Sequence, residues 1–219
     1  MRILSFIASL LLTITLTTPA HASIIYLLDV ISSPSIGSGT LGTVMLTQNG
    51  VNQVDVKVTL AANTAFVSTG GPHHAFTFNL NLLTPYTVSI TSPLSGFTLS
   101  GPNPTNTPYG VFTNGIDCPG CGPGASNAKP GPLEFSVMDS SGVSISNFVA
   151  NLLKDGSTGY FFSADVIGPA GSTGNIAAIR TGGGGPLSTV PLPAALPLFG
   201  GSLLALAYAA RRKKAAANA

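Results

Sequence analysis

The chain has 219 residues, 44% of them hydrophobic but only 7% charged and 7% aromatic, with 26 Gly, 17 Pro, 2 Cys and no Trp. So little charge excludes a coiled coil or a charged disordered tail, and a formal net charge of +2 excludes the basic footprint of a nucleic-acid-binding surface. The mean hydropathy of +0.43 would suit a membrane protein, yet the apolar excess is concentrated in two short blocks, one at each end.

Residues 1–22 have the three parts of a secretory signal peptide: a positive start at Arg2, an apolar run from Ile3 to Leu16, and small residues before a cut. Ala20 and Ala22 fit the shallow pockets of a signal peptidase, so the mature chain is predicted to begin at Ser23 after passage through the Sec machinery.

Residues 23–181 are predicted to form one all-β domain, a β-sandwich or jelly roll with one short helix. Two runs carry the clearest period-2 signal. Val54, Val56, Val58 and Leu60 alternate with Asp55, Lys57 and Thr59, while Phe76, Phe78, Leu80 and Leu82 alternate with Thr77, Asn79 and Asn81. Each pattern predicts a half-buried strand. Eight further strands are expected at Ile24–Ile31, Thr40–Thr47, Tyr86–Ile90, Phe97–Ser100, Tyr109–Thr113, Leu133–Met138, Tyr160–Ile167 and Asn175–Arg180, from β-branched and aromatic runs divided by Gly, Pro and Asn. Asn49-Gly50 reads as a hairpin turn needing positive φ. Ile145, Phe148, Val149 and Leu152 lie near helical spacing behind a Ser144 cap, which predicts a short helix over Ser144–Leu153.

Candidate chemistry within the domain is sparse. His73-His74 precede a strand, and in extended backbone they would point to opposite faces, a poor grip for one metal ion. Cys118-Pro119-Gly120-Cys121 is read as a disulfide closing a Gly/Pro loop, because thiols oxidise outside the cytosol. A redox role would need a helix N-terminus at the first thiolate, and Gly122-Pro123-Gly124 is poor helix sequence. A glycosidase would need Glu134 to face an aspartate across a cleft. Asn79, Asn81, Asn103 and Asn106 on solvent faces would suit hydrogen bonding to polysaccharide. No catalytic, cofactor-binding or metal-binding residue is assigned, and the domain is expected not to be an enzyme.

Residues 182–189, with Gly182–Gly185 followed by Pro186 and Ser188, are read as a flexible linker. From Ser23 to Thr189 the chain carries four basic and seven acidic residues, a net charge of −3, so its basic character comes from the ends. Leu192 to Ala210 is a 19-residue run without charge, and a helix of that length at ~1.5 Å per residue would span the hydrocarbon core of a bilayer. Arg211, Arg212, Lys213 and Lys214 follow directly as a basic stop-transfer end, which sets the C-terminus on the cytoplasmic side. Pro191 and Pro193 fix φ and remove donors, holding the segment before the run extended, as a protease requires.

The run VPLPAALPLFGGSLLALAYAARRKK closely resembles the PEP-CTERM sorting signal of Gram-negative, exopolysaccharide-producing bacteria: a short Pro-x-Pro motif, a transmembrane helix and an Arg-rich end. The resemblance covers residues 190–214, with the motif at Val190, Pro191, Leu192 and Pro193, the helix at 194–210 and the basic end at 211–214, leaving 215–219 as a tail. Leu192 stands where the eponymous motif has Glu, which leaves open the exosortase subtype that reads it. The phrases FTNGIDCPGCG, PGPLEFSVMDSSGVSISNFVAN and GYFFSADVIGPAGSTGNIAA, between Tyr109 and Ala178, also resemble recurring segments of PEP-CTERM proteins, without an attached activity. The resemblance implies a substrate of exosortase. It would be held in the inner membrane as a single-pass intermediate, then sorted to the cell surface or the exopolysaccharide matrix, with exopolysaccharide as a partner. The alternative is a periplasmic carbohydrate- or small-ligand-binding module, or a weak hydrolase, anchored in the inner membrane.

Overall fold

The computed structural model describes residues 21–93, 95–151, 159–179 and 187–189. The signal run through Ala20, the Gly182–Gly185 stretch, the Val190–Pro193 motif, the apolar run after it and the Arg211–Lys214 basic end lie outside the described residues. Among the described residues no helix is long and apolar enough to cross a membrane.

The described chain is all-β. In chain order its strands are β1 Ser23–Leu27, β2 Val30–Ile31, β3 Gly42–Gln48, β4 Gln53–Leu60, β5 Ala65–Ser68, β6 Phe76–Phe78, β7 Thr87–Ser92 and β8 Thr98–Leu99. They continue as β9 Thr105–Asn106, β10 Gly110–Val111, β11 Asn114–Asp117, β12 Gly124–Lys129, β13 Leu133–Met138, β14 Phe162–Ile167, β15 Thr173–Ala178 and β16 Leu187–Thr189.

The first sheet has the order β16-β1-β3-β4-β13-β7 and is antiparallel throughout. Its register follows from the pleat. Along β4 the side chains of Val54, Val56, Val58 and Leu60 are buried, while Gln53, Asp55, Lys57 and Thr59 reach toward solvent. The expected turn at Asn49-Gly50 closes the β3–β4 hairpin, and Gly50 has φ +73°, the left-handed conformation that glycine adopts without a Cβ penalty.

The second sheet is built around β14. On one side β15 pairs with its whole length, and β2 lies beyond β15. Along the other side β6 pairs with Phe162–Ala164 and β5 with Val166–Ile167, so two ribbons leave β14 in succession: β6 leads to β11 and β8, and β5 leads to β12. Inner faces of the two sheets meet in one core. Phe135 of the first sheet lies 5.9 Å from Phe76 and 5.0 Å from Phe78 of the second, and Tyr26 packs edge-on against Phe162 at 4.9 Å. Burying each such side chain stabilises the fold by ~1.5–3 kcal/mol, so these two rows of alternating residues supply the main driving force.

Four expectations are corrected. The run Ile24–Ile31 is two strands in different sheets: Leu28 bonds to the Leu41–Gly42 backbone, and the chain then crosses to β15. Of the short helix expected over Ser144–Leu153, the described part is a single 3-10 turn, Ile145–Asn147, capped by the Asn147 side chain accepting from the Ser144 N–H at 2.8 Å, after which Phe148 is extended; Leu152 and Leu153 lie outside the described residues. Leu80 then bridges Phe148, so tertiary pairing displaces the helix. Leu187–Thr189, read as linker, pairs with β1 as an edge strand, with Ser23 opposite Thr189. The fourth concerns β6, which is buried on both faces although its pattern predicts one wet face. The Asn103–Thr113 segment with β9 and β10 covers the outer side of the second sheet, burying Tyr109 and Phe112 against Ala177, Val30 and Tyr160.

Candidate functional site

The predicted sites separate in space. Cys118 and Cys121 form a disulfide across a 3-10 turn, with both residues buried and Cys121 Sγ within 3.4 Å of the Phe66 carbonyl. Gly120 between them packs directly on Gly96, where an added Cβ would lie 2.5 Å from the Gly96 Cα, so the turn needs glycine for close approach. The sulfurs are core atoms, and the bridge is structural.

His73 and His74 lie outside any strand, so the period-2 argument does not apply to them, and they reach different neighbours along the second sheet. His74 Nδ1 lies 2.6 Å from Asp117 Oδ1 on β11, and its backbone N–H donates to Asn106 Oδ1. His73 Nδ1 lies 2.7 Å from Asn175 Nδ2 on β15. Among the described residues no three His, Cys, Asp or Glu side chains converge on a possible metal position.

Glu134 is paired with Lys57, directly opposite on β4, at 2.7 Å. Asp55 lines the same shallow depression, with its carboxylate accepting from Gln53 and Asn49. Asp55 and Glu134 are diagonal neighbours on one side of the first sheet, side by side rather than facing each other across a gap.

Two polar features were hidden from sequence reasoning. Outward positions of the second sheet, Thr77, Ser163, Asp165 and Asn175, form a buried polar layer together with Asn106 of the cover. Asn106, predicted on a solvent face, is fully buried; its amide donates to the His74 carbonyl and to Thr77. Asp165 Oδ2 accepts from the backbone N–H and hydroxyl of Thr69, but Asp165 Oδ1 and Asn175 Oδ1, on directly opposed residues, have no partner among the described residues. Burial pushes the Asp165 carboxyl above the ordinary carboxylate range, against the opposing pull of the Thr69 hydrogen bonds and the neighbouring His73. Burial likewise pushes the Tyr109 phenol up. Tyr109 donates to the Val30 carbonyl at 2.9 Å and lies 3.2 Å from the Asn175 carbonyl, pinning the cover to β2 and β15.

The second feature is a groove beside that cover. Asn79, Asn81 and Asn103 line it together with Val111, Thr113 and Asn151, but Asn79, like Asn106 predicted on a solvent face, is buried. Asn79 Oδ1 accepts from the Thr113 N–H at 2.8 Å, Thr113 Oγ1 accepts from the Leu80 N–H and from Asn114 Nδ2, and Asn114 Oδ1 accepts from the Tyr86 hydroxyl. This chain of bonds fixes the floor. Asn151 supports the wall by donating to the Tyr109 and Val111 carbonyls. Asn81 and Asn103 stand exposed at the rim, with Asn103 left-handed at φ +56°. The roles of Thr113 and Asn151 arise from contacts 34 and more residues apart in sequence, which no local pattern encodes.

No family model, characterised protein or solved structure matches the chain. Its functional reading therefore rests on its own residues.

Proposed function

We propose that the chain is an exported cell-surface or extracellular-matrix protein, sorted by an exosortase through its C-terminal tail, whose β-sandwich domain is displayed and performs no catalysis of its own. One observation carries this reading: the compact unit of the fold runs from Ala22 to Thr189. Apart from Ala22, those are the residues left between the predicted signal-peptidase cut before Ser23 and the motif beginning at Val190. The predicted signal peptide and sorting tail thus flank a unit whose strand pairing begins at the predicted mature N-terminus, with Ser23 opposite Thr47 on one side and Thr189 on the other. The buried disulfide adds support, since it forms in oxidising compartments outside the cytosol. The inner-membrane form, with its C-terminus cytoplasmic, is the intermediate.

Mass spectrometry of the protein recovered from the cell surface tests the sorting step. A C-terminus near Pro193 is expected, and surface protein still carrying the Lys213-Lys214 end would overturn the reading. The structure also sets the fusion point for a tail swap. Because Leu187–Thr189 belongs to the sheet, the transferred segment is Val190–Ala219, and it should carry a neutral secreted reporter to the surface rather than leave it in the inner membrane.

A further inference from the structure

We propose that the asparagine-lined groove is a binding site for a neutral glycan chain. The inference names a partner for the displayed domain and rests on the display reading for its access to such a ligand.

Two depressions share Thr113 in their lining and form the two arms of the proposed site, one running past Leu99, Ser100 and Asn114, the other past Asn79, Asn103 and Val111. Among the described residues no Asp, Glu, Lys, Arg or His lines either arm, whereas the depression on the first sheet contains Asp55, Lys57 and Glu134. The described lining offers no counter-ion to an acidic sugar, a phosphate or a charged peptide, and desolvating such a ligand against it would go uncompensated.

What the lining does offer is matched to hydroxyl groups. An amide presents a donor and an acceptor side by side, and a sugar hydroxyl is both donor and acceptor, so each exposed asparagine can exchange two bonds with one or two hydroxyls. Leu99 and Val111 are half exposed, one in each arm, and supply apolar contact for the C–H faces of a ring. Two depressions that share a lining residue suit a chain of rings more than a single compact ligand.

The floor supplies an independent sign. Asn79 is 95% buried, its Oδ1 is committed to Thr113, and its Nδ2 has no hydrogen-bond partner among the described residues. A buried donor without a partner costs ~1–3 kcal/mol. That donor is covered in this structure, and a ligand hydroxyl would recover the cost by accepting its hydrogen on a small shift of the floor side chains.

Affinity electrophoresis of the full-length chain in a sugar-free detergent, through gels containing dextran, laminarin or galactomannan and, separately, polygalacturonate, tests the site. Retardation by at least one neutral polysaccharide and none by polygalacturonate is expected. Asn81→Ala and Asn103→Gly, which keep the floor and the left-handed backbone, should each weaken that retardation about fivefold, the loss of one hydrogen bond. Leu99→Asp should abolish it. Unchanged melting of the three variants shows that the fold survives. Migration unaffected by every neutral polysaccharide, stronger retardation by polygalacturonate, or variants that bind as well as the parent would each overturn the proposal. The assay does not depend on tail processing, so its failure is distinct from a failure of sorting, which the C-terminal mass reports.

Discussion

The outer faces of the two sheets obey the same pleat and end in opposite environments. On the first sheet, Asp55, Lys57 and Glu134 alternate with core residues and meet solvent, and the Lys57–Glu134 pair keeps 44% and 33% of its side-chain surface accessible. On the second, Thr77, Ser163, Asp165 and Asn175 occupy equivalent outward positions yet are buried, Thr77 and Asn175 against the Asn103–Thr113 cover and Asp165 against Thr69. The lesson is that alternation assigns a residue to a face, and only what lies over that face decides whether a polar side chain needs a protein partner. Where water is present a charge pair is nearly neutral energetically; where it is excluded, each unpaired oxygen is a cost.

Removing the cover gives the largest expected effect. Phe112 is 1% exposed and packs with Tyr109 and Ala177, so Phe112→Ala should cost ~3–5 kcal/mol in denaturant unfolding. It should also speed amide exchange on β14 and β15 more than on β3 and β4. Equal loss of protection on both sheets would show that the cover does not act on the second sheet alone.

Asp165→Asn should move stability the other way. The asparagine oxygen can keep the Thr69 bonds while its NH2 donates to the unpartnered Asn175 Oδ1 directly opposite. Since burial holds the wild-type carboxyl above its ordinary range, its stabilising contribution is complete in acid, below the unfolded-state value, and is lost as pH rises through the folded-state value. The variant should therefore match wild type in acid and gain ~1–3 kcal/mol at neutral pH. Equal denaturation midpoints at pH 7 would contradict the burial argument.

The smallest effect belongs to the wet face. A double-mutant cycle of Lys57→Ala and Glu134→Ala should give a coupling below ~1 kcal/mol that shrinks with added salt, as for a half-exposed pair. A coupling that salt leaves unchanged would place the pair in a drier environment than its exposure indicates.

Much of the fold was legible in advance where both determinants were local. Leu133–Met138 is the predicted strand residue for residue, and the Asn49-Gly50 turn and the Cys118–Cys121 bridge stand where their residue types place them. Short strands escaped notice for a physical reason. Gly124–Lys129 has no β-branched residue, and its pairing with β5 across an irregular register makes it a strand. The Ser144–Leu153 periodicity failed likewise, because the contact of Leu80 with Phe148 outweighs a weak helical preference.

For the candidate site, composition singled out the asparagines but not their grouping. Asn79, Asn81 and Asn103 meet at one groove because Thr113 ties the end of β6 to the segment after β10, while Asn106, three residues beyond Asn103, turns inward to hold His74. The sequence by itself determined an all-β, charge-poor domain with one short-range disulfide, since alternation and neighbouring cysteines act over a few residues. Tertiary structure alone decided that the second sheet is roofed, that Asp165 is desolvated and that one groove is amide-lined and, among the described residues, free of charge. Those properties depend on which distant segments exclude water from a face, and solvent exclusion has no local code.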